Sequence, residues 1–232
     1  MGPGRNLSLA NTLVPLKPGR NSKLGPAAVG TTRPVGPTCP LTCQFHPARP
    51  DPSAARCYAT MGRMEIQQIR ANGMDGETAR ARLLAHYANG IRLIRLNVAG
   101  DVVTQSGELD REYLAALWEV AREMPDAQIW AYTHAWSEFG PLDLAAVPAN
   151  VALLASVDTP EELEMAREIG FTRFARVSYD ESDRQPAEML CPVDRAKHKG
   201  KPTAHTCQTC RLCWRPAASI VFLAQHLRKV GP

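Results

Sequence analysis

The chain's seven cysteines divide into a group of three and a group of four. Cys39, Cys43 and Cys57 lie in TCPLTCQFHPARPDPSAARCYA. Cys191, Cys207, Cys210 and Cys213 lie in CPVDRAKHKGKPTAHTCQTCRLCW. Thiolates are soft ligands that suit iron–sulfur clusters and zinc. Four of them close a metal site completely, whereas three leave one position exchangeable, which is where a metal centre does chemistry. The division therefore predicts a closed structural or electron-transfer centre near the C-terminal end and an open, reactive centre near the N-terminal end.

The first group reads C-x3-C, then Phe45 and His46, and reaches Cys57 only after a longer insert. An iron–sulfur cluster on three thiolates is the leading expectation. A zinc ion held by the three cysteines and His46 is the alternative. The second group, C-x15-C-x2-C-x2-C, ends in a run that resembles the ferredoxin pattern. Three thiolates on one tight loop suit a cubane cluster, while zinc sites more often use two separated C-x2-C pairs; both metals stay open here. His205 reads as a loop histidine, and Trp214 as a shield that keeps water from the centre.

A frame has to hold these loops. At 232 residues the chain is long enough for one large α/β domain or two small ones, and its 44% apolar content is ordinary for a globular protein. No apolar run approaches the roughly 20 residues that span a bilayer. The N-terminus is positively charged but lacks a continuous apolar core, so it does not read as a signal peptide. Cysteines without a secretory signal point to a reducing, cytoplasmic setting and to metal ligation rather than disulfides. The formal charge of +4 permits contact with nucleic acid without requiring it. RAKHKGK at 195–201 is the densest basic run, read either as a phosphate contact or as a solvated loop.

Residues 1–37, rich in Pro and Gly, are expected to form an extended arm. Residues 38–190 are expected to form a partial (β/α) barrel that carries the first cysteine group. Residues 191–232 are expected to form a cysteine-rich segment packed on it. Within the barrel, helices are predicted at 62–71, 77–88 and 109–124, with a helical turn at 142–147. A further helix at 159–170 has Thr159 as N-cap, Pro160 in the first turn, Glu162 at the capping-box position and Gly170 as its stop. Strands are predicted at 90–100, 127–135, 151–158 and 171–178, a loop at 180–206, and a short strand or helix near the end. This alternation implies βαβ units and a parallel sheet, whose ligands collect at the C-terminal strand ends. The residues there are polar: Asn97, Gly100 and Asp101; Thr133 and His134; Ser156 and Asp158; Arg176 and Ser178. His134 and Asp101 are the candidate catalytic pair. The competing roles are a hydrogen-bonded core histidine and a helix-capping aspartate. Trp118, Trp130 and Trp136 read mainly as core.

The chain also resembles a family of small, cysteine-rich phage- and plasmid-borne proteins. The shared pattern runs from residue 21 to about 226: NSKLG (Asn21–Gly25), TCP-x-TC with a later CYA, a V-x-GD strand end, a YTH-like strand, an ASVD strand, and a final CP…C-x2-C-x2-CW. More distantly, RLNVAGD resembles the Gly-Gly-Glu segment of radical S-adenosylmethionine (SAM) enzymes, with Ala99-Gly100-Asp101 in its place. His46 stands where their compact cysteine loop has its third cysteine, and the second spacing is expanded by eleven residues. The resemblance implies an α/β fold of the radical SAM-like partial-barrel type with two [4Fe–4S] clusters. Cys39, Cys43 and Cys57 would hold the open cluster, with Tyr58 near the adenine of SAM. Gly100 and Asp101 would receive its amino group, and Ser156 and Asp158 its ribose or carboxylate. An enzyme of this kind would need a flavodoxin- or ferredoxin-like electron donor to start reductive SAM cleavage and hydrogen abstraction. A nucleotide or nucleic-acid substrate suits the mildly basic charge. The competing functions are a non-enzymatic iron–sulfur or zinc module for binding or redox sensing, and a zinc protein that binds DNA.

Overall fold

The computed structural model describes residues 14–15, 21–48, 57–60, 66, 76–215 and 219–223. Its strands are β1 (Val14–Pro15), β2 (Ala28–Thr32), β3 (Leu93–Arg95), β4 (Gln128–Thr133), β5 (Val151–Ser156), β6 (Phe174–Ser178), β7 (Glu188–Leu190) and β8 (Ser219–Leu223). Its helices are α1 (Gly76–Ala88), α2 (Arg111–Arg122), α3 (Pro141–Ala145), α4 (Pro160–Ile169), α5 (Pro192–His198) and α6 (Cys207–Cys210).

The strands form one sheet in the order β1-β2-β3-β4-β5-β6-β8-β7. β1 runs antiparallel to β2; the seven others are mutually parallel. From β2 to β6 neighbours in the sheet are neighbours in sequence, with helices in the connections. That is the pattern of a partial β/α fold, and the expected α/β class holds.

The period of two along each strand sends side chains to two separate cores. Ile94, Ile129, Ala131, Val151, Leu153, Ala155 and Phe174 pack with α1, α2 and α4. Their alternates Leu93, Trp130, Ala152, Leu154, Ala175 and Ile220 pack with Leu24, Val193, Leu212 and the C-terminal cysteines. The cysteine-rich segment thus covers the sheet face that the main helices leave bare.

Local chemistry sets the helix ends. The Thr159 side chain accepts from Glu162 N, Pro160 opens α4, and Gly170 closes it in the left-handed conformation. Glu162 reaches one residue further back than a capping box requires, to Asp158 N at 2.6 Å. Asp110 caps α2 through Tyr113 N.

The expected boundaries change in four places. Residues 28–32, expected in the arm, form β2 in the sheet, because pairing with β3 outweighs the weak strand preference of AVGTT. The strand expected at 90–100 stops at Arg95, and Asn97 and Gly100 then take positive φ values of 47° and 77° that end the extended run. The loop expected at 180–206 contains β7 and α5. Residues after 191, expected to pack on the rest of the fold, also enter the sheet, since β8 inserts between β6 and β7. The helix expected at 62–71 lies, apart from residue 66, outside the described residues.

Candidate metal centres and strand-end cleft

At the C-terminal end of β3, Asp101 is a buried anchor, 4% exposed. Its carboxylate accepts from Thr133 Oγ1 at 2.6 Å, Val102 N at 2.8 Å and His134 N at 2.8 Å. Its backbone oxygen accepts from Arg33 Nη1 at 2.7 Å. Arg33 is itself buried. It bonds Asp110 at 2.7 Å and stacks 3.7 Å from the centre of the Tyr113 ring, whose hydroxyl donates to Asn97 at 2.8 Å. One network therefore ties the ends of β2, β3 and β4 to the start of α2. Gly100 lies against it: a Cβ there would meet Arg33 Cβ at 2.6 Å and Arg33 O at 2.7 Å.

Burial pushes the Asp101 carboxyl above its ordinary value of 3.8, opposed by His134 and by the hydrogen bonds from Thr133 and two backbone N–H groups. A folded state that holds this proton more tightly than the unfolded chain gains most below the unfolded value and loses that gain as pH rises through the folded one. Asp101→Asn removes the titration. The stability of the wild type relative to the variant is therefore expected to fall as pH rises above about 3.8. Urea midpoints of both proteins at stepped pH measure this, and parallel profiles would refute it.

The first cysteine loop sits at the same strand ends. Burial raises the Cys39 thiol to about 12 and the Cys43 thiol to about 11, and it raises Cys57 as well. Cys43, Cys57 and Asp101 add to the rise at Cys39, and Asp101, Cys57 and Asp158 to that at Cys43. Both ring nitrogens of His46 are engaged by the loop's own backbone, with Gly36 O at 3.2 Å and Ala48 N at 3.1 Å. His46 consequently shapes the turn and does not face the thiols as a fourth ligand. Tyr58 lies in the 3-10 turn Tyr58–Thr60 after Cys57, and its side chain is outside the described residues.

Beside this loop is a cleft of about 520 Å³ lined by Thr42, His134, Trp136, Ser156, Asp158 and Glu162. His134 is partly exposed here, with Nδ1 3.9 Å from Asp101, so it is not a core histidine. Asp158 accepts from Gln44 Nε2 at 2.9 Å, which joins the cysteine loop to the end of β5. Four of the candidate residues, His134, Asp101, Ser156 and Asp158, come together at this end. Arg176 does not join them: it is paired with Glu188 at 2.6 Å.

Cys191, Cys207, Cys210 and Cys213 line a second, apolar cavity on the opposite sheet face, with Lys23, Arg95, Trp130, Tyr132 and Trp214. Cys191 is brought there by Cys191 N donating to Val221 O at 2.8 Å, and Cys207 by Cys207 N donating to Lys23 O at 2.8 Å. Burial raises Cys213 to about 11 and also raises Cys191 and Cys207; Lys23 opposes the rise at the last two. Tyr132 Oη donates to Cys213 Sγ at 2.9 Å. The Trp130 and Trp214 indole N–H groups are buried with no partner among the described residues, which costs about 1–3 kcal/mol each. All seven cysteines are free thiols.

Among the described residues, no three His, Cys, Asp or Glu side chains stand as ligands to a single ion. The space at the centre of the four-thiol cavity is about 30 Å³. That exceeds the roughly 10–15 Å³ that one water needs. The donor chemistry nevertheless suits a metal–sulfur group: four thiols, two nearby cations and two unsatisfied N–H donors in a dry site. The sequence reading missed Lys23, Arg95, Arg33 and Tyr113. The signal for Arg95 was present, since an arginine inside the buried strand GIRLIRL needs something to face.

Fold and site together define a cysteine-rich α/β protein with a parallel sheet, a three-cysteine loop at the strand ends and a four-cysteine cavity on one sheet face. The chain belongs to the gene product 88 family, which matches residues 10–216. No curated protein and no solved structure matches it. Among the described residues no helix is long and apolar enough to cross a membrane.

Proposed function

We propose that the chain is an iron–sulfur protein. Cys191, Cys207, Cys210 and Cys213 hold a closed [4Fe–4S] cluster against the sheet, and Cys39, Cys43 and Cys57 hold a second with one open position at the strand-end cleft. The observation that carries this is the convergence of four thiols, Cys191 before α5 and three on the loop after it, on one desolvated cavity with Lys23 and Arg95 beside it. Bound clusters supply one-electron transfer and, at the three-thiol site, an exchangeable iron position. The protein's own part is to exclude water, to offset the thiolate charge and to place the cleft residues beside the open position. Loading takes the protons that burial keeps on the thiols, so metal uptake acidifies the medium.

The SAM part of the radical SAM resemblance finds uneven support. Ser156 and Asp158 line the cleft beside the three-thiol loop. Gly100 is packed against Arg33, and the Asp101 carboxylate is occupied by three donors, so neither fits the amine-binding role. SAM would have to be held from the β5 side, with a flavodoxin- or ferredoxin-like donor supplying electrons. A redox or binding module that uses no SAM is the second reading, favoured by the engaged Asp101. Nucleic acid gains little from the basic run, because Arg195 and Lys199 both pair with Glu181 at 3.0 Å.

The test is iron, sulfide and zinc per chain on anaerobically purified protein, wild type beside a Cys39/Cys43/Cys57→Ala triple variant. About eight irons falling to about four is the expected result. Zinc without iron or sulfide would reject the reading. Calorimetric titration with SAM then separates the enzyme from the module.

A further inference from the structure

We propose that Trp130, Tyr132 and Trp214 are a hydrogen-bonding set that donates to the sulfur atoms of the C-terminal centre and thereby sets its reduction potential. The proposal rests on the iron–sulfur reading of that cavity. Trp130 and Tyr132 stand two residues apart on β4, so both side chains leave the same face of the strand, toward the cysteines. Trp214 follows Cys213 directly and lines the same cavity. Tyr132 Oη already donates to Cys213 Sγ at 2.9 Å. Its ring is fixed by an edge-on contact with Phe222, with centroids 5.4 Å apart. The two indole N–H groups are buried and meet no acceptor among the described residues.

Buried donors in folded proteins are nearly always satisfied, so a donor orphaned among the described residues calls for a partner such as a water, an ion or a bound group. Both orphans border the cavity of the four thiols, where sulfur is the acceptor at hand. A cubane offers bridging sulfides in addition to its cysteine sulfurs, so it can take more donors than a lone zinc ion with four thiolates. Donors to cluster sulfur stabilise the more negative, reduced form and therefore raise the potential; removing one lowers it. Arg95 sits over the Tyr132 ring at 5.0 Å and adds positive charge on the same side.

The test compares Tyr132→Phe, Trp130→Phe and Trp214→Phe with the wild type, all anaerobically purified and carrying the Cys39/Cys43/Cys57→Ala background so that one cluster reports. Each variant keeps an aromatic ring and loses its donor. Iron and sulfide per chain and the midpoint potential from a dye-mediated titration are read together. The expected result is an unchanged iron content with a more negative midpoint for each variant, further lowered when two are combined. Should a Trp→Phe protein fail to fold, benzothienylalanine at that position keeps the bicyclic shape and removes only the N–H, and the same lowering is expected. Full clusters with unaltered midpoints would overturn the donor assignment alone. A background protein that binds no iron and sulfide would overturn it together with the cluster reading, which distinguishes the two failures.

Discussion

Cys191→Ala is expected to lower the iron content of anaerobically purified protein from about eight atoms per chain to about four, and to lower its melting temperature toward that of metal-free wild type. Cys191 is separated from Cys207, Cys210 and Cys213 by α5 and the loop after it, and its buried thiol shares their cavity because β8 returns the chain beside β7. A ligand bound only by the folded state stabilises it in proportion to affinity and concentration, and a structural metal centre is a strong case of this linkage. The loop around Cys207 is otherwise held to the N-terminal segment by backbone bonds to Lys23 O at 2.8 Å and Leu24 O at 3.1 Å, by Ala27 N donating to Gln208 Oε1 at 3.2 Å, and by Leu212. In metal-free protein the substitution removes only one sulfur atom, with an expected cost of about 1 kcal/mol. The large effect should therefore appear in loaded protein alone. Iron analysis and calorimetric melting of loaded and metal-free forms measure both halves. A Cys191→Ala protein that retained full iron and sulfide would remove Cys191 from the ligand set.

The parts that could be read in the sequence are those whose cause is local. Thr159, Pro160 and Gly170 announce α4 because capping is decided within a few residues, and the structure places each in its expected role. The apolar runs at 127–135 and 151–158 become β4 and β5 because a strand buried on both faces is nearly continuous in hydrophobic residues. β2 was hidden for the opposite reason. AVGTT has a glycine at its centre, and only its place beside β3 makes it a strand. β7 and β8 run out of sequence order, a crossover that no local pattern encodes.

The candidate site divides in the same way. The two cysteine groups and the polar strand ends follow from spacing and from the rule that parallel sheets present ligands at one end. The roles within the site do not. Asp101 was legible as a strand-end carboxylate, but its engagement by Thr133 and His134 depends on the register of β3 and β4. His46 was legible as a potential fourth ligand, but its ring serves Gly36 and Ala48. Lys23 and Arg95 meet the C-terminal cysteines only because Trp130, Leu93 and Ile220 turn to the same face of the sheet.

Gly100→Ala separates the two accounts of that strand end most sharply. It is expected to destabilise the protein by about 2–5 kcal/mol, summing about 1–2 for a side chain in the left-handed region and about 1–3 for overpacking. Gly100 has a φ of 77°, and an added Cβ would meet Arg33 Cβ at 2.6 Å, Arg33 O at 2.7 Å and Thr38 Oγ1 at 2.8 Å. Two of these atoms cannot move aside, because the Arg33 backbone is bonded to Ala99 O at 2.8 Å and its guanidinium to Asp101 and Asp110. Gly107→Ala is the control: its φ is 90° with nothing within 4 Å, so it carries the conformational strain without the collision. Urea denaturation of the two variants should show a loss of about 1–2 kcal/mol at Gly107 and a distinctly larger one at Gly100. If Gly100 instead served as a ligand ledge, the methyl would block binding while leaving stability near that of the control. Equal stabilities for Gly100→Ala and Gly107→Ala would return that role to it. A larger loss at Gly100 makes it the point where β2 and β3 close on each other, and leaves ligand binding to the residues that line the cleft.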